Sequence, residues 1–212
     1  MIAVGLAVSE RWEVCSMRLF IAIDLGEEVR TAVSSQLAKL GPLAPNAKWV
    51  RAEGMHVTLA FLGYIEDDRV PQVKAIAEEV ASRHAPVTLS VENIGGFGSS
   101  TRPRVLWLGL TGDIAALAAI KSDLEDRLVP LGYEPEKRPF KPHLTLARAR
   151  MQSGDPALAR CIRSCRESSF GRAHVDRIIL FRSDLSPKGA RYTALCEPRL
   201  SGKAERFSPA QK

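Results

Sequence analysis

The chain has 212 residues, 45% hydrophobic and 25% charged, enough for a core in one domain or in one domain of two similar halves. No run of eighteen apolar residues occurs, so neither a membrane-spanning helix nor a membrane partner is expected. The formal charge of +6 and a pI of 9.3 suit a phosphate-bearing partner, and the scatter of Lys and Arg favours a basic cleft over a basic tail.

The opening MIAVGLAVSERWEVCS lacks the basic start and small-residue cleavage site of a signal peptide. Met17 directly precedes the first convincing strand, so residues 1–16 are expected to be a dispensable extension. RLFIAID (Arg18 to Asp24) reads as a strand. EEVRTAVSSQLAKL follows as a helix, with Val29, Val33, Leu37 and Leu40 on one stripe and Gly41-Pro42 as its stop. MHVTLAFLG is a strand, Val70 to Arg83 an amphipathic helix, and VTLSVENI a strand closed by Gly95-Gly96. The order then restarts. RVLWLGL (Arg104 to Leu110) is a strand, DIAALAAIKSDLEDRL a helix ending near Pro130, HLTLAR a strand, and DPALARCIRSC a helix with Pro at its start. AHVDRIILF reads as one strand, and RYTALCE (Arg191 to Glu197) closes the chain. ENIGGFGSS, lying between two strands and opening no helix, reads as a hairpin loop.

These elements repeat. His56 and His143 are 87 residues apart, Arg18 and Arg104 86, and Arg104 and Arg191 87. So long a period indicates a duplicated domain and not a solenoid. The expectation is an α+β fold over residues 17–200: two pseudo-symmetric lobes, each an antiparallel-rich sheet with helices on its outer face, meeting at a central cleft. Residues 201–212 are expected to form a polar tail. The cysteines, Cys15, Cys161, Cys165 and Cys196, lack a zinc-binding pattern and suit reduced thiols in a cytoplasmic protein.

Two of the four histidines sit in one recurring tetrapeptide, His56-Val57-Thr58-Leu59 and His143-Leu144-Thr145-Leu146. Residues two apart on a strand share a face, so each motif presents an imidazole and a hydroxyl, with two apolar residues behind. Two imidazoles across a cleft can serve as general base and general acid, and the hydroxyls can donate to non-bridging phosphoryl oxygens. One such tetrapeptide is more often a half-buried strand histidine than a site; two at matching places in a repeat point to chemistry. His84 after a helix and His174 beginning a strand read as ordinary surface or strand-end residues. No carboxylate lies within either motif and no Cys/His group has ligand spacing, so neither metal nor cofactor is expected. A Gly-rich phosphate loop followed by Lys is also missing, which disfavours ATP-driven ligation.

RLFIAIDL, WVRAEGMHVTLAFLG, GGFGSSTRPRVLWLGL, RPFKPHLTLAR and LSPKGARY, spanning Met17 to about Leu200, resemble the two-histidine phosphoesterases. The resemblance is closest to the bacterial RNA 2′,3′-cyclic phosphodiesterases, also called 2′-5′ RNA ligases. It implies metal-independent opening of a terminal 2′,3′-cyclic phosphate to a 2′-phosphate, with RNA joining as the reverse chemistry. By the resemblance His56 is the proton donor to the leaving 3′ oxygen and His143 the base that activates water, while Thr58 and Thr145 hold the phosphate. Arg148 and Phe61 match family positions for phosphate and base contacts. Each lies five residues beyond its histidine, however, a step that aims at the opposite face of a regular strand. On that parity Phe61 reads as core, and Arg148 reaches the cleft only if the strand ends or bulges after Leu146. Arg104 reads either as a phosphate contact or as an exposed strand-end charge. Three functions stay open: hydrolysis of cyclic-phosphate RNA ends, action on 2′-5′ oligonucleotides or small cyclic nucleotides, and nucleotide or RNA binding without chemistry. No obligate protein partner is indicated.

Overall fold

The computed structural model describes residues 15–51, 54–165, 169–186 and 189–203. Most of the expected extension (1–14) and of the expected tail (204–212) lies outside the described residues. Nine strands and four helices follow one another among the described residues: β1 (Ser16–Ile23), α1 (Gly26–Leu40), β2 (Lys48–Trp49), β3 (Val57–Glu66), α2 (Val70–Arg83), β4 (Val87–Gly98), β5 (Pro103–Gly112), α3 (Ile114–Leu128), β6 (His143–Arg148), α4 (Pro156–Ser164), β7 (Ser169–Val175), β8 (Ile179–Ser186) and β9 (Gly189–Cys196). None of these helices is long and apolar enough to cross a membrane.

The strands form two antiparallel sheets, ordered β3-β1-β8-β9 and β2-β6-β5-β4-β7. The expected α+β duplication is thus present, but its halves are interlocked. Each half sends a late strand into the other half's sheet: β4, after α2, joins β5, and β8, which follows α4 and β7, joins β1. Helices cross over too. α1 packs on β7 and α4 on β4 and β5, whereas α2 and α3 pack on each other and against β8 and β3.

Local chemistry explains the elements. β1 is an inner strand with Leu19 to Ile23 all buried, hence its unbroken apolar run. α1 buries Val29, Val33 and Leu40 on one stripe, with Glu27 and Glu28 in its first turn and Lys39 in its last, as its dipole favours. In α4 the Asp155 carboxylate caps the helix by accepting from the Ala157 amide at 2.8 Å, and Pro156 follows.

Two strand expectations need correction. ENIGGFGSS is not a loop: β4 runs through Gly98, and the hairpin turn lies beyond it. Gly95 faces Trp107 across the ladder, and a Cβ there would come within 2.4 Å of the indole, so glycine makes room for a ring rather than a turn. AHVDRIILF is likewise two strands. β7 ends at Val175 in one sheet, and β8 starts at Ile179 in the other. The link is held by backbone bonds from Ile178 to the Pro198 carbonyl and from Leu200 to the Asp176 carbonyl. No Gly or Pro marks the break, and Val175, Ile178 and Ile179 are all buried, so the sequence reads straight through. Just past Leu200, Ser201 donates its amide to the Ala81 carbonyl of α2.

Candidate active site

His56 immediately precedes β3, and His143 opens β6. Both imidazoles, with Thr58 and Thr145, line one cleft of about 340 Å³. Behind the motifs Val57, Leu59, Leu144 and Leu146 enter the core, so the alternation expected of the tetrapeptides holds.

Each imidazole is oriented in the same way. His143 Nδ1 lies 2.7 Å from the carbonyl of Lys141, two residues back, and His56 bonds to the carbonyl of Gly54, also two residues back. A carbonyl only accepts, so the bonded ring nitrogen must carry a proton, and for His143 that leaves Nε2 to accept or deliver one. Aromatic rings fix the imidazoles further. Phe20 lies against His56 at 4.7 Å and Tyr192 meets it edge-on at 5.2 Å, while Phe97 meets His143 edge-on at 4.8 Å.

Burial lowers the pKa of both histidines; it outweighs the carbonyl bonds, which act the other way, and Arg148 lowers both further. Asp24, at the end of β1, pulls His56 upward, and among the described residues no carboxylate does the same for His143. No described carboxylate lines the cleft, and Arg148 brings a positive charge into it. The site is built for an anion.

Arg148 enters the cleft by the device that strand parity requires. In the β5–β6 ladder Leu106 pairs with Ala147 and Trp107 with Thr145, so Leu146 is an extra residue, a β-bulge. Leu146 and Ala147 both turn to the core, and Arg148 rejoins the face of Thr145. The expectation for Phe61 is overturned by the same irregularity in β3. Ile21 pairs with Ala60 and Ala22 with Thr58, making Leu59 the extra residue. Leu59 and Ala60 are buried, and Phe61 stands in the cleft 48% exposed instead of in the core. Arg18 lies over its ring at 4.5 Å and donates from Nη1 to Ser183 Oγ at 2.8 Å.

The remaining candidates fall elsewhere. Arg104 is exposed and does not line the cleft. His84 bonds to Asp123 at 3.1 Å, between α2 and α3, and His174 is an exposed residue of β7 paired with Thr88. Sequence reasoning missed Tyr192, Val50 and Gly54 as cleft residues. Tyr192 had one signal, its place in the LSPKGARY stretch. Val50 follows the two-residue β2, too short to read from a pattern, and reaches the cleft because its amide donates to the carbonyl of the bulged Leu146. Among the described residues no three His, Cys, Asp or Glu side chains gather where they could hold a metal ion.

The family described as LigT-like phosphoesterase matches the sequence twice, at residues 23–107 and 108–192, one match for each half of the duplication. Over 179 residues the chain is 32% identical to an RNA 2′,3′-cyclic phosphodiesterase of Archaeoglobus fulgidus, covering 84% of this chain and 98% of that protein. It is also 32% identical over 183 residues to one of Geobacillus stearothermophilus, covering 86% of this chain but 57% of that relative's length. Among solved structures, LigT of E. coli complexed with 3′-AMP superposes with a TM-score of 0.74 at 28% identity, covering 88% of this chain and 99% of that one.

Proposed function

We propose, from the premise that this chain belongs to the LigT-like phosphoesterase family, that it opens terminal RNA 2′,3′-cyclic phosphates to 2′-phosphates without a metal. The observation that carries this reading is the matched pair of imidazoles, each oriented by the carbonyl two residues before it, in one cleft with two threonines and Arg148.

In the proposed reaction neutral His143 takes a proton from water as the oxygen attacks phosphorus. The P–O3′ bond breaks, and protonated His56 gives its proton to the leaving 3′ oxygen. A 2′-phosphate and a 3′ hydroxyl result. Thr58 and Thr145 donate to the non-bridging oxygens as charge builds there, and Arg148 supplies the positive charge. Phe61 offers the terminal base its free face. The acid role goes to His56 because Asp24 favours its protonated form. RNA joining is the same path with a 5′ hydroxyl in place of water, giving a 2′-5′ linkage. A cytoplasmic setting suits Cys161, a buried thiol whose pKa burial pushes up.

The test is a short RNA ending in a 2′,3′-cyclic phosphate, incubated with the protein in excess EDTA. The expected product carries a 2′-phosphate, formed as fast as without EDTA. A 3′-phosphate product, or a rate that needs added divalent ion, would refute the mechanism. Binding without turnover would favour the non-catalytic reading.

A further inference from the structure

The sheet face that carries Phe61 continues beyond the cleft. Directly paired residues of antiparallel strands share a face. The β1–β3 register sets Arg18 opposite Tyr64, and that of β8–β9 sets Ser183 opposite Tyr192. Arg18, bonded to Ser183, thus joins both pairs into one row that leads from the cleft residue Tyr192 to Tyr64 on the edge strand. Tyr64 is 71% exposed. It also walls a crevice of about 250 Å³ with Arg69 and Tyr133, outside the catalytic cleft. The contacts of Arg18 are one ring face and one neutral hydroxyl, which leave its charge uncompensated among the described residues. A sheet presenting aromatic rings interleaved with arginine suits single-stranded nucleic acid: ring faces stack bases, and guanidinium groups meet the phosphates between them.

We propose that Tyr64 and Arg18 form a second nucleotide subsite, which receives the base and the bridging phosphate of the nucleotide 5′ to the reacting RNA end. The proposal rests on the cyclic-phosphate reading above and narrows it: the substrate is an oligonucleotide end, and a free cyclic mononucleotide leaves half of the surface unused. Continuity with the cleft and the charge of Arg18 both favour RNA as the occupant.

The experiment compares kcat/KM for a trinucleotide ending in a 2′,3′-cyclic phosphate with that for a nucleoside 2′,3′-cyclic phosphate. Calorimetry on the matching 2′-phosphate products gives a reading independent of turnover. The wild type is expected to favour the trinucleotide about tenfold or more, the scale of one base stacked on an aromatic ring. Tyr64→Ala should remove about tenfold more from the trinucleotide than from the mononucleotide, and Tyr64→Phe should keep the preference. Arg18→Gln should flatten the salt dependence of trinucleotide binding. Equal losses on both substrates, or a wild type without preference, would overturn the subsite. Should neither substrate turn over, the activity reading fails, and the ratio of the two product affinities still decides: tenfold upholds the subsite, unity rejects it. A wild-type dimer that Tyr64→Ala dissociates, with equal losses on both substrates, would assign the face to a second copy of the chain.

Discussion

β3 and β6 begin alike and end differently. At the start of each stands an imidazole tied to the carbonyl two residues back, followed by a threonine on the same face and a bulge at the leucine after it. The bulge brings the fifth residue after each histidine into the cleft, and there the halves part: Phe61 on β3, Arg148 on β6. Their surroundings differ as well. Thr58 pairs with Ala22 but Thr145 with Trp107, and Asp24 acts on His56 alone of the two histidines. β3 also runs ten residues against six for β6, giving the first half an arm that extends past the cleft. Duplication thus yields two imidazoles held alike in one cleft, and in the proposed reaction divergence at one position past each bulge divides the other tasks between base and phosphate.

The largest effects test the equivalence. His56→Ala and His143→Ala should each lower kcat by about 10²–10⁴-fold, the usual contribution of a positioned acid or base. The double variant should cost far less than the product of the two losses, because the pair acts as a unit. A substrate with an activated leaving group needs no protonation, so it should rescue His56→Ala and leave His143→Ala inactive. Rescue of His143→Ala instead would exchange the roles.

The next effects test the divergence. Arg148→Gln removes a charged partner of the phosphate, so kcat/KM should fall about 10–100-fold, in line with roughly 1.5–3 kcal/mol for a charged hydrogen bond. Phe61→Ala should act mainly on KM, by about tenfold, through lost base stacking. If the two variants gave the same split between kcat and KM, the division of labour would fail.

The pH profile sharpens the same contrast. His143 must be neutral to accept a proton, so the rate rises with pH through its pKa. His56 must be protonated, so the rate falls as pH rises through its own. Burial lowers both pKa values below the ordinary histidine value of 6.5. The bell of kcat/KM, which reports the free enzyme, should therefore peak on the acid side of that value. A bound phosphate anion favours the imidazolium, so the kcat bell should lie at higher pH. Arg148→Gln removes a charge that lowers both groups and should move the kcat/KM bell upward. A kcat/KM maximum well above neutrality would assign the proton transfers to other groups.

The duplication and the two motif strands were legible because burial imposes a period on sequence: Val57 and Leu59, like Leu144 and Leu146, alternate with the residues that face the cleft. The bulges were not legible. Nothing in the stretches Thr58-Leu59-Ala60 and Thr145-Leu146-Ala147 distinguishes the buried Leu-Ala pairs from residues of a regular strand. Parity therefore sent Phe61 to the core and made the place of Arg148 conditional. Tyr192 was hidden for another reason, since its nearness to His56 arises from the order of the sheet, in which β9 flanks β8 and β8 flanks β1. Asp24 was equally silent, because its action on His56 is a matter of distance in space and not of spacing along the chain.

The smallest expected effect concerns the long arm of β3, which has no counterpart in β6. Its far end is held by the start of β1: Ser16 pairs with Glu66, and the Asp67 amide donates to the Cys15 carbonyl at 3.0 Å. A chain starting at Met17 loses both contacts; a chain starting at Cys15 keeps them. Both groups lie at the surface, where water replaces a lost bond, so the difference should be at most about 1 kcal/mol. For a protein of this size that corresponds to a Tm difference of roughly 2–4 °C. Turnover should match that of the full chain in both, because neither Cys15 nor Ser16 lines the cleft. Thermal melts of the three chains make the check. If removal of residues 1–14 alone lowered Tm by more than the step from Cys15 to Met17, those residues would belong to the domain, and the expected extension would be part of the fold.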